Sequence, residues 1–134
     1  MKTCPKIIIE TIEHHDQRYP TCGDWWFNED KSALHIRVSR MGDWRSEFAV
    51  AVHEAFEALA CHVEGITDEV VTAFDLQFEK EREAGLHDPD DEPGSDPRAP
   101  YLVQHERATL IENAITECAG LRWRDHESNV YALP

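Results

Sequence analysis

Across residues 48–61, FAVAVHEAFEALAC, only His53, Glu54 and Glu57 are not apolar. A helix apolar on nearly every side is expected to be buried, and two carboxylates and an imidazole are costly to bury unless something charged or hydrogen-bonding meets them. Their spacing suggests what that is. His53 and Glu57, at i and i+4, stand one above the other on a helix face, with Glu54 beside them. In the His-Glu-x-x-His pattern the residues at i and i+4 bind zinc and the glutamate at i+1 is the base. Here Glu57 takes the second ligand position. The third ligand is expected from another helix, and His105 is the choice, because it lies on a polar stripe with Thr109, Glu112 and Thr116. Two imidazoles and a carboxylate match the inventory of one common class of catalytic zinc site. Such a set leaves room for water, with Glu54 next to it as general base. Zinc fits these ligands, and Fe2+ and Mn2+ are the alternatives that a carboxylate admits. Asp75 and Glu112 are reserve ligands, or partners that hold an imidazole from behind. The competing reading is a buried ion-paired cluster with Arg37 or Arg45 as counter-charge.

The elements that must position these residues follow from the hydrophobic pattern. Residues 6–13, KIIIETIE, begin as a β-branched run and read as a strand. A polar loop with Pro20 and Gly23 leads to a short aromatic strand at Trp25, Trp26 and Phe27. After the turn residues Asn28 to Lys31, Leu34, Ile36 and Val38 alternate with His35, Arg37 and Ser39, which predicts a strand with one wet face. The short turn predicts an antiparallel hairpin, and the sheet is expected to be antiparallel with about three strands, spanning 6–39. Asp43 or Ser46 can cap a helix over 46–64, whose apolar side is Phe48, Val52, Ala55, Phe56, Leu59 and Val63. A second helix is expected over 67–84, between Thr67 and Gly85, and a third over 100–119, opened by Pro100 and followed by Gly120. Its core stripe would be Ala108, Ile111, Ile115 and Cys118. Residues 87–100, HDPDDEPGSDPRAP, form an acidic, proline-rich loop that is either a solvated segment or a lid.

Length and composition bound the rest. The 134 residues predict a single α+β domain, residues 1–134, in which the sheet packs against three main helices. With 27 acidic and 13 basic residues the net charge is −14, which argues against a nucleic-acid partner. Cysteines 4, 22, 61 and 118 form no C-x-x-C pair, so reduced thiols in a cytoplasmic protein are expected. No leader peptide or membrane-spanning run is read from the pattern, so no membrane partner is expected.

Strands, then a His-Glu-x-x helix, then a helix carrying a further ligand: this order resembles the minimal core of zincin-type metalloproteases. The resemblance implies metal ligation by His53 and Glu57, with Glu54 as the base; those families have histidine at the position of Glu57. It also implies a protein or peptide substrate. GDWWF, HIRVSRMGDWRSEF, VAVHEAFEA and DPRAPYLVQHERA are similar to segments of small proteins carried by bacteriophages and prophages, a likeness that brings no activity with it. Two other functions compete with a metal-dependent hydrolase. One is a nucleotide pyrophosphatase holding magnesium through Glu54 and Glu57, with Asp75 in the second half of its motif. The other is an acidic, non-enzymatic binding or inhibitor protein of phage type, carrying its charge on residues 88–96 and the outer helix faces.

Overall fold

The computed structural model describes residues 5–134, and Cys4 lies outside them. Three strands, β1 (Lys6–Ile12), β2 (Gly23–Phe27) and β3 (Ala33–Ser39), precede four helices, α1 (Trp44–Val63), α2 (Asp68–Glu83), α3 (Leu102–Cys118) and α4 (Trp123–Tyr131). This is the expected α+β arrangement, with the tail adding the fourth helix. The helix starts lie within two residues of expectation. Asp43 is the N-cap of α1, its carboxylate accepting from Arg45 N at 3.0 Å. Glu47 accepts from Met41 N at 2.7 Å and ties the helix start to the end of the sheet. Thr67 caps α2, and Gly65 and Gly85, both at positive φ, end the first two helices.

The sheet order is β1-β3-β2, and the sheet is mixed rather than wholly antiparallel. β2 and β3 form the expected hairpin, with Trp25 opposite Ile36. β1 runs parallel to β3, with Ile9 opposite Ile36. The connection is the cause. Residues 13–22 are long enough to pass around the end of β3 and start β2 on its far side. They are fastened there by Ser39 N donating to Cys22 O and Gln17 Nε2 donating to Ser39 Oγ at 3.1 Å.

α1 packs on β2, β3 and α3 through a side that its apolar pattern did not indicate. Ala49, Val50, Ala51, Ala58 and Cys61 are buried together with His53, Glu54 and Glu57. Phe48, Leu59 and Val63, on the side read as apolar core, are 51%, 61% and 71% exposed. Small side chains let the sheet and α3 approach closely, and the charged residues lie in that narrow seam. α3 behaves alike. Its supposed polar stripe also faces inward, with Thr116 fully buried, while of the expected core stripe Ala108 is buried and Cys118 is exposed. The shared core is formed by Trp25, Leu34, Ile36, Val38, Val50, Ala58, Val71 and Tyr101. Among the described residues no helix is long and apolar enough to cross a membrane.

The acidic loop is exposed over residues 88–92, as expected of a solvated segment, and is also tied to the protein. Arg82 donates to Asp88 O, Pro89 O and Asp91 O at 2.6–2.8 Å, and Arg98 joins Asp96 to Glu81. A single 3-10 turn at Pro93–Ser95 then lays Gly94 against α3.

Candidate metal centre

The three residues expected as ligands meet at one point. His53 Nε2 lies 3.2 Å from Glu57 Oε2 and 3.2 Å from His105 Nδ1, which is in turn 2.9 Å from Glu57 Oε2. Tetrahedral ligands bonded to zinc at about 2.0–2.1 Å are about 3.3 Å apart, so this triangle is close to one face of such a tetrahedron. Hydrogen bonding alone serves it poorly, because a ring N–H points along one edge and cannot satisfy two.

The outer nitrogens of both rings face carboxylates. His53 Nδ1 is 2.7 Å from Glu112 Oε1, off the line of a straight hydrogen bond. His105 Nε2 is 2.9 Å from Glu92 Oε2, which the docked loop supplies. A proton held on each outer nitrogen leaves a lone pair on His53 Nε2 and His105 Nδ1, both aimed at the shared point. Behind Glu112 stands His126, fully buried, which contacts Glu112 Oε2 through Nε2 and Ser46 Oγ through Nδ1 at 3.0 Å. Asn129 Nδ2 donates to the same hydroxyl at 2.9 Å. Glu57 is oriented from the sheet, since Trp25 Nε1 donates to its Oε1 at 3.0 Å and leaves Oε2 for the two imidazoles.

The electrostatics call for positive charge here. Burial opposes charge on His53, but Glu112 and Glu57 outweigh it and hold the imidazole well above the usual histidine range. His105 is likewise opposed by burial and lifted by Glu57 and Glu92 to about 9. Burial favours the neutral form of Glu57, yet the two imidazoles pull it down to about 2. Two ring protons carry the charge of one divalent cation, which would compete with them for the same nitrogens.

No family model, curated protein or solved structure matches this chain at a significant level.

Glu54 differs from its neighbours. It is buried, and among the described residues it has no hydrogen-bond or ion-pair partner, although His53 and His105 are near enough to act on its charge. Burial first, and then the charge of Glu57, push its carboxyl well above the ordinary range. It lines a cavity of about 430 Å³ with His53, Glu57, His105, Tyr19 and Tyr101. Two glycines make room for the site. A Cβ on Gly23 would come within 2.6 Å of Glu54 Oε1, and one on Gly94 within 2.4 Å of the His105 ring.

Of the reserve residues, Glu112 touches His53 from behind and Asp75 lies apart. Asp75 accepts from Tyr19 Oη at 2.7 Å and from Tyr101 Oη. Its two oxygens are thus both taken by tyrosine hydroxyls. Neither proposed counter-charge reaches the cluster: Arg45 pairs with Asp43 at 2.8 Å, and Arg37 lies over Trp26 and 3.7 Å from Glu10. The site roles of His126, Glu92, Trp25 and the two glycines were not read from the sequence, and Ser46 was read only as a possible helix cap. Only Glu92 carried a signal, as an acid in a candidate lid.

Proposed function

We propose that the chain is a small metal-dependent hydrolase that holds one divalent ion, zinc by preference, through His53, Glu57 and His105. The observation that supports this most is the paired tethering of the imidazoles: each outer nitrogen faces a carboxylate, and both inner nitrogens converge on Glu57 Oε2. A structural ion pair needs only one edge of that triangle, whereas a cation uses all three corners. Three protein ligands leave a fourth position for water, and a bound metal would supply Lewis acidity there. The protein's own part is to hold the Glu54 carboxyl in the cavity, where the charge of a bound cation would favour its ionised form and let it serve first as general base and then as acid to the leaving group. Tyr19, Tyr101 and the aromatic and acidic cavity walls would receive the substrate, whose class is read as peptide-like from the zincin resemblance alone.

A mixed pool of quenched fluorescent peptides tests this. Chelator-treated protein should be inactive, zinc should restore cleavage, and Glu54→Gln should lower it by roughly two to four orders of magnitude. Cleavage that persists in Glu54→Gln would remove the base from the scheme.

A further inference from the structure

We infer that two copies of the chain associate about a two-fold axis by antiparallel pairing of their β1 strands. Among the described residues β1 is an edge of the sheet, with a neighbour on one side only. Lys6 N donates to Ser32 O and Ile12 O accepts from Arg40 N, so the even-numbered residues of β1 turn their backbone groups towards β3. Alternation then points the N–H and C=O groups of Ile7, Ile9 and Thr11 outward. A seven-residue strand with an open row of these groups, three successive isoleucines and no proline is a ready template for another strand. The side chains add to it. Ile7 and Ile9 pair with Leu34 and Ile36 and so stand on the face that α1 covers. They are nonetheless 52% and 53% exposed, because α1 lies over β2 and β3. The flank of α1 away from α3, with Phe48 and Leu59, is also bare.

The occupant is a second copy because the strand is complementary to itself. Outward groups must meet outward groups, so an antiparallel partner has to place odd residues opposite odd ones. Centring the pair on Ile8 does this and sets Ile7 opposite Ile9 of the second copy. The same register sets Lys6 opposite Glu10 of the second copy, twice by symmetry, in the non-hydrogen-bonded positions where side chains approach most closely. In a chain of net charge −14, a strand with one charge of each sign lets two copies meet without added repulsion. The result is a continuous six-stranded sheet with both α1 helices on one face, flanking the paired isoleucines.

Sedimentation velocity at micromolar concentrations tests the pairing, with melting curves to check that each variant folds. The wild type should sediment as a dimer. Ile9→Glu, at a half-exposed position, should melt like the wild type and sediment as a monomer. Lys6→Glu and Glu10→Lys each put like charges opposite one another, and each should weaken the dimer by about tenfold or more. A mixture of these two variants restores both pairs and should regain the dimer. A monomeric wild type, a dimer that survives Ile9→Glu, or charge variants that do not recover on mixing would each overturn the inference.

Discussion

Replacing Glu54 by glutamine distinguishes a group kept for chemistry from one kept for stability. The side chain is buried, has no partner among the described residues, and is pushed towards its neutral form by burial and by Glu57. Glutamine has the same shape and, like a protonated glutamate, no charge. Had Glu54 been half of a buried ion pair, its neutralisation would cost about 3–5 kcal/mol by stranding the partner. That corresponds to a fall of about 10–20 °C in melting temperature for a domain of this size. With no partner to strand, Glu54→Gln in metal-free protein should melt within a few degrees of the wild type near neutral pH. The sign of the pH dependence follows from the raised carboxyl. The unfolded chain loses this proton at a lower pH than the folded chain, so the wild type loses stability as pH rises through the folded value. The variant, with nothing to ionise there, should gain on the wild type as the solution is made alkaline. Differential scanning calorimetry from pH 5 to pH 9 measures both effects. A drop of ten degrees or more at neutral pH, or a variant that falls further behind at high pH, would refute the reasoning.

Other perturbations test the site's supports. Gly94→Ala should press a methyl group onto the His105 ring and weaken zinc binding in an indicator competition, with little change in the circular dichroism spectrum. Glu112→Gln removes the charge that His53 and His126 share, and should reduce metal affinity about 10–100-fold. Burial raises Asp75 to about 7 against the pull of two tyrosine hydroxyls. Its ionisation therefore costs stability that is lost as pH rises from the unfolded value near 4 to about 7, at most about 4 kcal/mol at 1.36 kcal/mol per pH unit. Asp75→Asn should flatten that decline in urea titrations at pH 5 and pH 8.

What could be read from the chain depended on whether the signal was local. The alternation at Ala33–Ser39 and the caps Asp43 and Thr67 are set by neighbouring residues, and each lies where it was expected. The parallel pairing of β1 was hidden, because nothing in KIIIETI says that the following loop passes around the end of β3. The buried side of α1 was misread for a related reason. The large residues Phe48, Leu59 and Val63 dominate any apolar count, whereas the sheet and α3 pack on Ala49, Ala51, Ala58 and Cys61, whose advantage is small volume. Of the site, His53, Glu54 and Glu57 stood out as polar residues in an apolar run. His105 followed from its stripe. His126 and Ser46 meet across a separation of 80 residues, and Trp25 reaches Glu57 across 32, distances at which no spacing rule operates.

Zinc titration calorimetry on chelator-stripped protein, in parallel for the wild type and His105→Ala, bears most directly on the metal centre. The geometry predicts one zinc per wild-type chain, with release of protons as the metal displaces them from the imidazoles, and a loss of that binding in His105→Ala. A wild type that takes up no zinc, or that binds it equally well without the His105 side chain, would contradict the proposal at its root.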